Sequence, residues 1–320
     1  MSHSSKLFRY LTLSVSISLL VSACAGAKQT NASAKTTPGS TNYIPVDKSL
    51  LWEISGNGLK KPSYLFGTIH LIGKEDFFFP TSLQDKIAAA EQATFEIDMD
   101  DMSSMESMMS IMSKAFMKDG KTLRDFITDK EYKLVNDHFA AKGLPLQMLE
   151  RMKPMLLSTF ASMDLGGGED GSNTKSYEME IFAKIKELHK PSLGLETVDD
   201  QLAIFDSIPY PAQAKMLMES IKSADKENAE YKKMAEMYKK QDIEQMAKLS
   251  VEGDEGLGGY ENLFLYDRNK KWIPLMSAMM NDKSTFFAVG AGHLGGPKGV
   301  INLLKLAGYK ITAVKMGLGA

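Results

Sequence analysis

Two strings, Gly67-Thr68-Ile69-His70 and Gly290-Ala291-Gly292-His293, each follow an apolar run that reads as a buried strand. Each sets a histidine three residues behind a glycine where a strand ends. That repetition constrains the fold more than any other feature, because it calls for one sheet whose strand ends bring two imidazoles from distant parts of the chain to neighbouring positions. Glycine at such a place lets the backbone turn with no Cβ to clash and leaves room beside the histidine. Imidazole is also the commonest neutral ligand of transition metals and titrates nearest neutral pH. Taken singly, either string equally describes a loop histidine satisfied by local hydrogen bonds. Of the five histidines, His3 lies in a segment patterned as an export signal. His138 and His189, set among charges on helical patterns, read as surface positions.

The first residues pattern as a targeting segment and stand outside the fold. Lys6 and Arg9 precede an apolar stretch, Leu11 to Val21, that is too short to span a bilayer. It runs into Leu20-Val21-Ser22-Ala23-Cys24, which holds the sole cysteine and resembles the lipobox of bacterial lipoproteins. The resemblance implies cleavage after Ala23 and acylation of Cys24, with enough acyl chains for stable anchoring. Ala25 in place of an aspartate after the cysteine favours the outer membrane of the cell envelope. Residues 24–47 are alanine, threonine, serine, glycine and lysine with little to bury, and read as a flexible tether. Removing residues 1–23 takes away two basic residues and no acid, so the net charge moves from -2 to -4. With no basic run elsewhere, that balance argues against nucleic acid as a partner.

The folded part, 48–316, opens with an alternating strand from Leu50, a Gly56-Asn57-Gly58 turn and a returning strand from Ser63 that delivers the first string. A helix over 82–92 leads to Ala93-Thr94-Phe95-Glu96-Ile97-Asp98, a buried strand with acids in it. A buried carboxylate costs several kcal/mol unless it is paired or bound to a metal, which makes Glu96 a site candidate. From Met99 to about Ser162 the pattern is helical and rich in methionine, at 99, 102, 105, 108, 109, 112 and 117. Thioethers bind soft copper ions, yet the three- and four-residue spacing is what an apolar face packed on a core requires. A glycine-rich stretch from Leu165 to Thr174 reads as a loop with no dinucleotide fingerprint. A helix over 177–189 then leads to the strand Ser192-Leu193-Gly194-Leu195-Glu196, closed by a second candidate acid. Helices follow over 198–206 and, as a pair, over 211–249, and Arg268 lies in the last helical region before the second string. The final strand, helix and strand imply a crossover that sets His293 at the carboxyl end of a strand, where open α/β sheets bind ligands.

Phe66-Gly67-Thr68-Ile69-His70, Glu96, Gly194-Leu195-Glu196-Thr197, Tyr266-Asp267-Arg268-Asn269 and Val289-Gly290-Ala291-Gly292-His293-Leu294, in this order, resemble the TraB/GumN family, which includes the TIKI metalloproteases and is related to erythromycin esterase and ChaN-like proteins. The resemblance implies an α/β fold of the α+β kind, a mixed central β-sheet with flanking helices and a large helical insertion. It implies a divalent-metal-dependent hydrolase acting on peptide or protein substrates. His70, His293 and Glu96 would be metal ligands, Glu96 and Glu196 the catalytic carboxylates, and Arg268 a residue that orients charge; Gly67, Gly290 and Gly292 are the motif glycines. Manganese or cobalt suits such a nitrogen and oxygen set at least as well as zinc. Ser176-Tyr177-Glu178 stands where relatives carry a glycine and an aspartate, so Glu178 is given no role. Two other readings stay open: a non-catalytic envelope lipoprotein binding a metal, haem or a small ligand, and a structural envelope lipoprotein.

Overall fold

The computed structural model describes residues 43–317 except 103, 163–172, 223 and 250–258. Cys24, the export segment, the tether up to residue 42 and most of the glycine-rich stretch therefore lie outside the described residues. Among the described residues eight strands form between helices: β1 (Leu51–Ser55), β2 (Ser63–Thr68), β3 (Ile72–Gly73), β4 (Gln92–Ile97), β5 (Thr174–Lys175), β6 (Ser192–Glu196), β7 (Thr285–Gly290) and β8 (Lys310–Ala313). Six of them make one mixed sheet in the order β6-β4-β7-β2-β1-β8, while β3 and β5 pair as a separate ribbon. The α+β expectation holds.

Burial follows position in that sheet. Every residue of β2 is buried, and β4 and β7 are nearly so, because helices cover both faces of the sheet centre. The edge strands β6 and β8 keep partly exposed residues. The hairpin of β1 and β2 turns at Gly56, Asn57 and Gly58, all with positive φ. β7 runs parallel to both β2 and β4, and β4 runs parallel to β6. Four successive strands, β6, β4, β7 and β2, therefore end on the same side of the sheet. Glu96 and Glu196 lie at the ends of β4 and β6, the second glycine string starts at the end of β7 and His70 follows β2, which is how residues far apart in the chain reach one place. β8 is antiparallel to β1, itself antiparallel to β2, so the final crossover returns to the sheet parallel to β7 with two strands between.

The helices are α1 (Thr81–Ala89), α2 (Met99–Met102), α3 (Met105–Lys114), α4 (Asp129–Ala141), α5 (Pro154–Ser162), α6 (Tyr177–Glu187), α7 (Val198–Asp206), α8 (Tyr210–Lys222), α9 (Ala224–Lys239), α10 (Ile243–Leu249), α11 (Asp267–Asp282) and α12 (Val300–Leu306). α2 to α5 form the helical insertion between β4 and β6, broken by single 3-10 turns at Leu123–Asp125 and Leu146–Met148. The expected pair of helices over 211–249 is three, since Gln241 at φ 55 and Asp242 interrupt the run. A larger correction concerns the methionines. Met99, Met102 and Met117 are buried, as packing requires, but α3 buries no residue at all and turns Met105, Met109 and Met112 to solvent. His138 is also half-buried, its Nε2 lying 3.0 Å from the Ala161 carbonyl, while His189 is an exposed helix end.

Candidate functional site

Glycine at 67 and 290 serves close approach rather than a turn. β2 continues through Gly67 to Thr68, and Gly290 has φ -52 and ψ 134, which any residue adopts. A Cβ on Gly67 would lie 3.0 Å from both Ala291 Cβ and Leu294 Cδ2, so its absence lets the segment bearing His293 lie against β2. A Cβ on Gly290 would lie 3.3 Å from Glu96 Oε1, 3.6 Å from His293 Cδ2 and 3.9 Å from His70 Nε2. The two rings therefore approach within about 8 Å, on either side of a gap that a side chain would fill. Gly292 lies in the one-turn helix Ala291–His293 beyond it.

Arg268 organises the carboxylates. A π-helical turn, Asn262–Tyr266, runs directly into α11 and sets the guanidinium at the strand ends. Its Nε donates to Glu196 Oε1 and Oε2, both at 3.0 Å, and its Nη2 donates to Glu96 Oε2 at 2.6 Å and Glu196 Oε2 at 2.8 Å. Nη1 donates to the Phe264 carbonyl at 3.1 Å and reaches His293 Nε2 at 3.3 Å. Every N–H direction of the fork is used, the condition under which a buried arginine is stable. Trp272, one helical turn after Arg268, donates its indole N–H to Glu196 Oε1 at 3.0 Å, and Gln201 reaches both acids. Burial alone would raise the Glu96 pKa. The positive charge of Arg268, helped by the two imidazoles and by the Gly290 N–H at 2.9 Å, instead holds it well below the usual carboxylate range.

The tautomer of His293 follows from its partner. Asn269 Nδ2 donates to the carbonyls of His293 and Lys298, so its Oδ1 faces the ring and accepts from His293 Nδ1 at 2.6 Å. Nε2 thus keeps its lone pair, 3.8 Å from Glu96 Oε1. Burial first, then repulsion from Arg268 and His70, pushes the His293 pKa down to about 3 against the pull of Glu96, so this imidazole is neutral at ordinary pH. A pH dependence follows. Below the ordinary imidazole pKa of about 6.5 the unfolded chain takes up a proton that folded His293 refuses, so stability falls with acidification. In chelator-treated protein, urea unfolding is expected to show a loss of about 1 kcal/mol between pH 6 and pH 5, and His293→Asn to remove that slope. The raised pKa of His70 acts in the opposite sense and elsewhere: its contribution is complete below the unfolded value and is lost as pH rises through the folded one.

His70 meets a residue to which the sequence assigned nothing. Its Nδ1 lies 2.7 Å from Glu178 Oε1, an ion pair between largely buried groups, and Ser176 donates to the other Glu178 oxygen at 2.9 Å. Burial would lower the His70 pKa, but the facing Glu178 charge raises it overall, and the pairing lowers that of Glu178 against its own burial. Glu178 stands in the first turn of α6, where a negative charge also meets the helix N-terminus. His70, Glu96, Glu178 and Gln201 line a small pocket closed on one side by Met99 and Met102. Its free volume is about 20 Å³, the room of a single water or ion.

His70, Glu96, Glu196, Arg268 and His293 are thus brought together, with Gly67 and Gly290 making the space, whereas His138 and His189 make other contacts. Glu178, Asn269, Trp272 and Gln201 complete the site. No curated protein and no solved structure matches the chain. A family model does match residues 50–313, nearly the whole described domain, and by that match the chain belongs to the TraB/PrgY/gumN family.

Proposed function

We propose that the protein is a divalent-metal-dependent hydrolase, of the peptidase kind, carried on the bacterial cell envelope as a lipoprotein anchored through Cys24. The observation that supports this reading is the gap at Gly290, bordered by Glu96 Oε1, His293 and His70 Nε2 and left open only because the residue has no Cβ. His70 Nε2, His293 Nε2 and Glu96 Oε1 are the groups that would hold the ion, a nitrogen and oxygen set suited to manganese, cobalt or zinc. Such an ion supplies Lewis-acid polarisation of a carbonyl and an acidified water at neutral pH.

The chain's own residues prepare the site. Asn269 fixes His293 as the tautomer whose Nε2 carries the lone pair, here accepting from Arg268 Nη1 at 3.3 Å, and the Gly290 N–H with Arg268 orients the Glu96 carboxylate from both ends. Both oxygens of Glu196 are taken by Arg268, with Trp272 on one of them, so Glu196 holds the guanidinium in place and is not itself a ligand. Glu178, 2.7 Å from His70 Nδ1, sets the ring so that Nε2 borders the gap at Gly290.

The test is elemental analysis together with turnover of a peptide library. Metal is expected to accompany the purified protein, chelation to abolish hydrolysis, manganese or cobalt to restore it, and His70→Ala or His293→Ala to block restoration. Turnover that ignores chelation and survives His293→Ala overturns the metal mechanism, while bound metal with no turnover on any peptide or ester makes the protein an ion-binding lipoprotein. Among the described residues no helix is long and apolar enough to cross a membrane. Cys24→Ser is accordingly expected to release the protein from the membrane fraction, and equal retention on a fractionation blot refutes the anchor.

A further inference from the structure

The methionines of α3 are left without a packing role. Met105, Met109 and Met112 are 66%, 67% and 47% exposed, and spacings of four and three residues set all three on one face of the helix. The opposite side is fastened to α7 by polar links: Ser110 donates to Asp199 Oδ1 at 2.5 Å, and Lys114 pairs with the same oxygen at 2.7 Å. Ser104 caps the helix by accepting from the Ser107 N–H at 3.1 Å. Met105, Met109 and Met112 are therefore held outward by contacts made on the other side, where Ile111 also packs partly against the core. Positions this exposed gain little from methionine by way of packing, and leucine or alanine would support the helix there as well.

What methionine adds is a soft, polarisable sulfur on a long flexible arm. Neighbours three and four residues apart have Cβ atoms about 5–6 Å from each other, a distance that two such arms close readily. Met109 stands between Met105 and Met112, so three thioethers can meet over its turn. Met102, the last residue of α2, is by contrast buried and lines the pocket with Met99. A set of three neutral sulfurs suits a soft monovalent ion and is a poor match for the hard divalent ions of a nitrogen and oxygen centre.

We infer that the exposed face of α3 is a second metal site, a three-thioether site for Cu(I) formed by Met105, Met109 and Met112. It is independent of the hydrolytic reading, since none of its sulfurs belongs to the histidine and carboxylate cluster. The site needs no cysteine, and every Cu(I) neighbour it offers is a thioether.

The experiment is an anaerobic Cu(I) titration of the purified protein against a chromophoric Cu(I) chelator, with Cys24→Ser in every sample so that no thiol competes. The protein is expected to withdraw one Cu(I), with sulfur neighbours in its X-ray absorption spectrum. The triple variant Met105→Leu, Met109→Leu and Met112→Leu keeps the helix and its apolar surface, and is expected to bind roughly 100-fold more weakly or not at all. Met148→Leu, at an equally exposed methionine (78%) in a different turn, is expected to change nothing. No withdrawal of Cu(I), unchanged affinity in the triple variant, or bound copper with only nitrogen and oxygen neighbours each overturns the site. Leucine variants whose circular dichroism matches the parent show that a loss of copper is not a loss of fold.

Discussion

Arg268→Ala is expected to lower the free energy of unfolding by about 3–5 kcal/mol, measured as a shift of the urea midpoint. The arginine is only 8% exposed and is the cation held directly between Glu96 and Glu196, both largely buried. Its removal leaves two like charges facing each other in a poorly hydrated place, and among the described residues neither has another basic partner at hydrogen-bond distance. Arg268→Lys is expected to recover only part of the loss, because one ammonium cannot reproduce a fork that meets two carboxylates, a carbonyl and an imidazole at once. Adding Glu196→Gln to Arg268→Ala removes one of the stranded charges and is expected to restore at least half of the stability. A midpoint for Arg268→Ala within about 1 kcal/mol of the parent would mean that water reaches the pair and that the cluster is not the buried ion network its geometry describes.

That network explains which parts of the site were legible in the sequence. The glycine strings announced themselves because two of only five histidines stand in the same frame behind apolar runs, and Glu96 because an acid in an apolar strand needs a partner. Glu178 was set aside because Ser176-Tyr177-Glu178 departs from the pattern it resembles and an acid in the first turn of a helix is ordinary, and only the folded position of β2 sets it against His70. Asn269 and Trp272 share a helix with Arg268, and the indole at one turn's spacing was the available hint, yet neutral side chains in a helix are first read as packing or surface. The methionine pattern failed for a related reason. Three- and four-residue spacing specifies that side chains share a face, not which way that face points, and in α3 the polar bonds to Asp199 decide the direction. The sheet was more legible because β2 and β7 bury nearly everything on both faces, a condition that writes itself as apolar runs such as Tyr64-Leu65-Phe66 and Phe286-Phe287-Ala288-Val289.

Gly290→Ala is expected to abolish function while leaving the fold intact, and it is the sharpest test of the gap. The backbone at Gly290, with φ -52 and ψ 134, accepts alanine without strain, and the closest atom to the new methyl is a carboxylate oxygen at 3.3 Å, so neighbours need give only slightly. The expected cost in stability is about 1 kcal/mol or less. The methyl nevertheless stands between Glu96 Oε1, His293 and His70 Nε2, in the space the proposed ion and its water require. Bound metal in elemental analysis and chelator-sensitive peptide turnover are both expected to fall by about 100-fold or more, since displacement of reacting groups by an ångström already costs that much. Gly194→Ala supplies the contrast. There a Cβ would lie 2.5 Å from the backbone nitrogen of Asp98 and 2.9 Å from the Glu196 carbonyl, atoms that move only with the strands themselves, so that variant is expected to lose stability first and activity as a consequence. A Gly290→Ala protein that retains its metal and its turnover would show that the reaction does not use the space between the two histidines.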